Sequence, residues 1–262
     1  MRYSFSSTST WYECPFRYKL KYIDKLQVKP DLRPDNPLFE GTAMHEAIEK
    51  RSINEGIISY KSNFPILDEN HNFEIYKMEK LMQKAIEQIP EGEYEFKLLT
   101  DEFVGYIDGL VKVDEGIYDL YDFKFSSASP SKYAKSGQIH IYKYFYEKLT
   151  GNKIRDMYFA VIPKFSEKLS NDITEDQLKQ KFEKWLQKHD VQFLKVEYDP
   201  LQVGWFFARI EMMNKATSYE KRYSLSCRWC DYQKYCSTNG KDRSELLEDK
   251  KDEDVAEVNL WM

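Results

Sequence analysis

Apolar residues return at helical spacing along Phe73–Ile89, where Ile75, Met78, Leu81, Met82, Ala85, Ile86 and Ile89 form one stripe. A shorter helical pattern covers Ala43–Ser52. The texture changes after Glu93. Phe103–Val113 and Ile117–Phe125 are rich in β-formers and are separated by Asp114-Glu115-Gly116, which predicts a hairpin. Lys132–Leu149 reads as an amphipathic helix, and Ile154–Ile162 as a buried strand ended by Pro163. Thr174-Glu175-Asp176-Gln177 is a capping box that opens a helix with Leu178, Phe182, Trp185 and Leu186 on one face. Val191–Tyr198 reads as a strand, and a further helix runs from Pro200 to about Ala216.

At the N-terminus, Ser and Thr residues ahead of Trp11 can cap a helix, and Pro30, Pro34 and Pro37 mark a loop. The order of elements predicts an α/β core preceded by a helical insertion.

The 20 Tyr, 16 Phe and 5 Trp supply ample material for a packed core. No repeat of solenoid length is present. No apolar run approaches the roughly 20 residues of a membrane span, and residues 1–8 lack the apolar stretch of a signal peptide. The expectation is a soluble, cytoplasmic protein.

The net charge of −5 speaks at first against a nucleic-acid partner, but its distribution changes that. Residues 242–257 hold eight acids and three bases, so residues 1–241 sum to zero. Arg17, Lys19, Lys21, Lys25 and Lys29 form one basic stretch, and Lys132, Lys135, Lys143, Lys148, Lys153 and Arg155 another. Such patches can bind phosphate; they read equally well as solvated helix faces.

The hairpin carries the candidate chemistry. Asp122 and Lys124 stand two apart on a strand and so share a face. If Val113 pairs with Ile117 across the turn, Asp108 falls opposite Asp122 and all three side chains gather together. Two carboxylates supply hard oxygen ligands for Mg2+ or Mn2+, and a lysine supplies a fixed cation beside the reacting phosphate. A surface Asp–Lys pair is the plainer reading of D-x-K taken alone.

Gln138 and Tyr142, four apart on the following helix, can hydrogen-bond a water or a phosphate, and a tyrosine can stack on a base. His45 can add an imidazole ligand, better suited to Mn2+ than to Mg2+. His71, His140 and His189 lack comparable context and read as structural.

Cys227-x2-Cys230-x5-Cys236 is a compact trio, and Cys14 completes the cysteine set. A four-cysteine zinc site usually shows two C-x2-C knuckles, whereas an iron–sulfur cluster tolerates one distant thiolate. The spacing favours iron–sulfur, with zinc and unligated buried thiols as alternatives. Either metal would staple the two ends of the chain.

Taken together these residues resemble the RecB-like branch of the PD-(D/E)XK nuclease superfamily that carries an iron–sulfur staple. Its members include the nuclease domain of AddB, CRISPR-associated RecB-like nucleases and phage exonucleases. The resemblance rests on Ser6–Thr10 with Cys14-Pro15-Phe16-Arg17-Tyr18, Gly41-x-x-x-His45, Gly105-x-x-Asp108, Asp122-x-Lys124, Gln138-x-x-x-Tyr142 and the closing cysteine triplet.

It implies a restriction-endonuclease-like core, a mixed central sheet flanked by helices, with an N-terminal helical insertion and a C-terminal iron–sulfur segment. It implies His45, Asp108, Asp122 and the Phe123 backbone carbonyl as metal ligands, Lys124 as catalytic lysine with Gln138 and Tyr142 in support, and Cys14, Cys227, Cys230 and Cys236 as ligands of a [4Fe–4S] cluster. Asp122 stands where many of the wider superfamily carry Glu.

The expected organisation is one nuclease domain over 1–241 and an acidic tail over 242–262. Within the domain the insertion lies at about 43–92, the core at about 93–220 and the cluster-binding parts at 11–20 and 223–238. The implied activity is metal-dependent hydrolysis of DNA, single-stranded or at ends, in recombination, repair or viral DNA processing, in the cytoplasm of a prokaryotic cell or phage-infected host. The alternative is a catalytically silent DNA-binding or assembly subunit. The acidic tail with its apolar end could dock on a protein partner; a disordered solubilising tail is the plainer view.

Overall fold

The computed structural model describes residues 2–168 and 172–247. In chain order come α1 (Phe5–Glu13), α2 (Pro15–Tyr18), a π-helical turn at Lys19–Ile23, α3 (Pro37–Glu49), α4 (Ile53–Lys61) and α5 (Glu69–Gln88). The strands β1 (Glu93–Leu99), β2 (Val104–Asp114) and β3 (Ile117–Ser126) follow, then α6 (Gln138–Thr150), β4 (Lys153–Pro163), α7 (Glu175–Leu186), β5 (Gln192–Lys195), α8 (Pro200–Lys215) and α9 (Gln233–Ser237). Contacts divide the chain into two units: Leu32–Thr100 with Val104–Pro200, and Met1–Asp31 with Asp101–Phe103 and Leu201–Met262. Among the described residues no helix is long and apolar enough to cross a membrane.

The larger unit is built on a five-stranded mixed sheet in the order β1-β2-β3-β4-β5. β1 to β3 form an antiparallel meander, β3 and β4 run parallel with α6 as the crossover, and β5 returns antiparallel to β4. Gly116, at φ +66°, takes the left-handed position that the β2–β3 turn needs. Tyr121, Phe123, Ala160 and Ile162 on one sheet face meet Met44, Ile48, Met78, Met82 and Phe182 from α3, α5 and α7 in the main core. There α4 lies so close that a Cβ at Gly56 would stand 2.6 Å from that of Ala47. The capping box at Thr174 and Gln177 opens α7 as the sequence indicates.

Several elements differ from the sequence expectation. β1 was not anticipated: its alternation is broken in the middle, as described below. The helix expected over Ala43–Ser52 begins earlier, at Pro37 with Asn36 as its cap, and a separate helix starts at Ile53 under the Ser52 cap. The helix expected from Lys132 begins only at Gln138, because Pro130–Tyr133 forms a 3-10 turn and Gly137 precedes the helix proper. The strand expected over Val191–Tyr198 pairs with β4 only along Gln192–Lys195. At the hairpin, Ile117 pairs with Asp114 rather than Val113, and a bulge at the turn absorbs the extra residue.

In the smaller unit Ser4 caps α1, and Cys14 caps α2 through its sulfur. Leu20, Tyr232 and Leu246 form a small buried cluster there. Leu246 bridges Val28, and Leu247 N–H donates to the Gln27 carbonyl, so ordered structure continues past Asp242 into the acidic segment. The rest of the expected acidic tail lies outside the described residues.

Candidate active site

The β2–β3 register runs Gly109↔Tyr121, Leu110↔Leu120, Val111↔Asp119 and Lys112↔Tyr118. Carried one step further it sets Asp108 opposite Asp122. The β1–β2 register, with Tyr94↔Gly109 and Phe96↔Ile107, sets Glu95 opposite Asp108 in the same way. Three acids therefore stand in a row across three adjacent strands.

Glu95 itself is left-handed, at φ +52°, a conformation unfavourable for a residue with a Cβ. Its neighbours show the effect. Tyr94 packs on Phe123, on the sheet face that meets α3 and α5, whereas Phe96 packs on Tyr146 of α6. A regular strand would hold both on one face.

His45 reaches the row from α3. Its Nδ1 lies 3.8 Å from Asp108 Oδ1 and 3.9 Å from Glu95 Oε1. Among the described residues, His45, Glu95 and Asp108 are the group whose ligand atoms all lie within 4.8 Å of one another. Asp108 is pinned by the Phe123 backbone N–H, which donates to Oδ2 at 2.6 Å.

Asp122 is fully buried. Neither of its oxygens receives a hydrogen bond of acceptable geometry, although the Lys124 ammonium stands 2.5 Å from Oδ2. Lys124 also donates to Gln138 Oε1 (3.3 Å), and Gln138 Nε2 donates to the Tyr142 hydroxyl (3.0 Å). Tyr142 is buried, so it is not placed to stack on a base.

Burial pushes the Asp122 carboxyl up to about 6 despite Lys124, and raises Asp108 against the pull of His45 and Lys124. Burial works to lower His45, but the Asp108 and Glu95 carboxylates outweigh it and hold the imidazole above its usual value. Lys124, desolvated but faced by Asp122 and Asp108, is likewise raised. A half-buried cluster with more carboxylates than cations, and a fully buried acid whose oxygens lack donors, fits a divalent ion with oxygen and imidazole ligands.

Glu95 is the residue the sequence reading missed. Nothing in Glu93-Tyr94-Glu95-Phe96 marks it; only the register of a strand interrupted at that position brings it beside Asp108. Of the remaining histidines, His140 Nδ1 accepts from the Asp199 N–H (3.1 Å), and His71 pairs with Asp68 (2.7 Å). Several cations of the two basic stretches are tied up locally: Lys19 with Asp24, Lys143 with Glu147, and Arg155 in a two-pronged contact with Asp119.

All four cysteines are free thiols and line one cavity of about 230 Å3 in the smaller unit. Among the described residues no three sulfurs lie within 4.8 Å of one another, so they do not form a tight mononuclear site. Burial raises the Cys230 and Cys236 thiols.

A mixed sheet flanked by helices, with an Asp-x-Lys strand beside a second acid, defines a nuclease-type core, and the match to known families agrees. The chain belongs to the PD-(D/E)XK nuclease superfamily, whose family model matches residues 2–237. Enzymes of this superfamily use divalent metals. Among solved structures, an inferred exonuclease of Eubacterium rectale is similar, with a TM-score of 0.57 and 12% identity, covering 89% of this chain and 87% of that one. The protein SSO0001 gives a TM-score of 0.34 at 10% identity, over 92% of this chain and 86% of that one, too low to carry weight. No curated protein matches the sequence.

Proposed function

We propose that this chain is a divalent-metal-dependent deoxyribonuclease that acts as an exonuclease on single-stranded DNA or DNA ends, in recombination, repair or viral DNA processing. The reading is carried by one observation: Glu95, Asp108 and Asp122 stand in a row across three strands, with the Lys124 ammonium at the last of them. His45, Asp108, Asp122 and the Phe123 carbonyl are the metal ligands that the resemblance implies, and Glu95 joins them by position. When bound, Mg2+ or Mn2+ would polarise the phosphodiester and neutralise the acids.

The chain's own groups supply the rest. Lys124, held between Asp122 and Gln138, presents a fixed ammonium to charge developing on the phosphate oxygens. Gln138 and Tyr142 act through Lys124 by fixing where its ammonium sits, which makes them positioning residues.

The test is cleavage of end-labelled oligonucleotides in Mg2+ or Mn2+. Asp122→Ala and Lys124→Ala should each abolish cleavage while circular dichroism shows an intact fold. Cleavage at the wild-type rate by either variant would refute the assignment.

The reading includes the [4Fe–4S] cluster that the sequence resemblance implies on Cys14, Cys227, Cys230 and Cys236, which are free thiols lining one cavity. Anaerobically purified protein should be brown with broad visible absorption; a colourless protein holding stoichiometric zinc would replace the cluster with a zinc site.

A further inference from the structure

Beyond Lys124, β3 continues to Ser126 and then into Ser127-Ala128-Ser129. β3 and β4 are parallel and finish side by side, with Ser126 opposite Pro163. In open α/β sheets, the space beyond the carboxyl ends of parallel strands is where ligands gather.

Here that space holds a groove of about 400 Å3, lined among others by Ser126, Ser127, Ser129, Lys164, Trp185 and His189. Its size falls within the range of about 300–1,000 Å3 typical of small-ligand sites. Strand alternation places Ser126 on the same side of β3 as Asp122 and Lys124. Ser126 stands about 7 Å, two residues of strand, beyond Lys124, and the groove runs from it past the strand ends to Trp185 and His189, with Trp185 on α7, which packs on the opposite face of the sheet.

Two kinds of recognition chemistry meet in it. Ser127 and Ser129 are exposed, and their hydroxyls can both donate and accept. Trp185 and His189 are stacked, with ring centroids 4.3 Å apart and planes within 16°. His189 Nδ1 is tied to the Trp185 carbonyl at 2.7 Å, and Trp185 is backed by Phe165 at 5.4 Å. The pair is therefore a fixed aromatic surface.

Formal charge contributes little. The Lys164 ammonium is committed to the buried Glu40, and Glu167, the acid of the lining, is paired with Lys181 at 3.0 Å. A near-neutral groove of hydroxyls and stacked rings suits a nucleoside better than a free anion. Aromatic stacking of this kind holds single-stranded bases with little sequence preference.

We propose that this groove is a nucleotide subsite of the active centre. It takes a base of the single strand, carried past the strand ends from the phosphodiester being cut, against Trp185 and His189, with the sugar or phosphate oxygens on Ser127 and Ser129. The inference rests on the nuclease reading and specifies its substrate as a strand whose bases are unpaired at this point.

The test uses the full chain and a fluorescently labelled dT12. Binding is read by anisotropy in an Asp122→Asn background, and cleavage kinetics are read with Asp122 intact. Ser127→Asp together with Ser129→Asp, and separately His189→Ala, should weaken dT12 binding five-fold or more and raise KM with kcat nearly unchanged. Asn54→Asp with Gln180→Asp, which adds the same charge at exposed positions outside the groove, should leave both values as they were.

Unchanged dT12 affinity and KM in the groove variants would overturn the subsite, and the nuclease reading would stand on its own cleavage assay. Groove-dependent dT12 binding by a protein that cuts no oligonucleotide would sink the nuclease reading and leave the subsite. Thermal melting of each variant separates loss of binding from loss of fold.

Discussion

The Asp108 carboxylate accepts the backbone N–H of Phe123 at 2.6 Å, so one acid of the site is fastened to the strand that carries the next. The same bond satisfies a backbone donor where the β2–β3 pairing stops short of Asp108. Asp108→Asn keeps an acceptor for that donor but removes the charge. It should reduce cleavage at least 100-fold with little change in the melting temperature of the metal-free protein. Asp108→Leu removes both, and leaves the buried N–H unpaired at a further cost of about 1–3 kcal/mol. Urea denaturation of the two variants checks the difference.

Glu95 makes a second pair of outcomes. Its φ of +52° is strained for any residue with a Cβ, and glycine would relax it. Glu95→Gly should therefore be more stable than Glu95→Ala by about 1 kcal/mol. Both should lose affinity for Mn2+ by ten-fold or more if the carboxylate belongs to the ligand set. Calorimetric Mn2+ titration of the two variants, beside their denaturation curves, separates the ligand role from the backbone strain. Wild-type Mn2+ affinity in both would remove Glu95 from the site.

A buried ionic cluster lies behind α3. Lys77 is 3.0 Å from Glu40 and is also paired with Glu74, while Lys164 is paired with Glu40 from the end of β4. Lys77, Glu40 and Glu74 are buried, and burial raises Glu74. Lys77→Met leaves two buried acids facing one remaining ammonium, and should destabilise the fold by about 3–5 kcal/mol. Lys77→Met with Glu74→Leu should recover much of that loss, because the removed charges then balance. Denaturation midpoints of the two variants decide the matter. Equal losses would mean that Glu74 and Lys77 do not act as a pair.

Much of this arrangement was legible in the sequence for a physical reason. Asp122 and Lys124 share a face because strand alternation is local, and the β2–β3 register follows from a short turn with Gly116 at its end. A regular turn would set Val113 against Ile117; the bulge pairs Ile117 with Asp114 instead and leaves Asp108 in its place opposite Asp122. Glu95 was not legible. Its place depends on pairing of β1 with β2 across the loop before Phe103, and the left-handed residue erases the alternation by which the strand would be found. The buried Glu40 was equally hidden, since its partners lie 37 and 124 residues away on α5 and after β4. Lys132 and Tyr133 fit a helical pattern, but Pro130 opens a 3-10 turn there and the helix starts only after Gly137.

Asp122 links the chemistry of the site to the stability of the metal-free protein. Burial lifts its carboxyl to about 6, against about 3.9 in an unfolded chain. The folded state therefore holds this proton more tightly than the unfolded one. That contribution is fully present below about pH 4 and is lost as the pH rises through about 6. Above that, the ionised group lowers stability by an amount on the order of 3 kcal/mol, at about 1.4 kcal/mol per unit. In EDTA, wild-type protein should lose stability between pH 5 and pH 7.5 relative to Asp122→Asn, which has no such proton to lose. At pH 7.5 the variant should melt several degrees higher than wild type. Saturating Mn2+ should close that gap by stabilising wild type, with about 2.7 kcal/mol gained at a hundred times Kd, and should do far less for the variant. Calorimetric melts at the two pH values, with and without Mn2+, test both halves. A variant no more stable than wild type in EDTA at pH 7.5 would show that the buried carboxylate carries no such penalty.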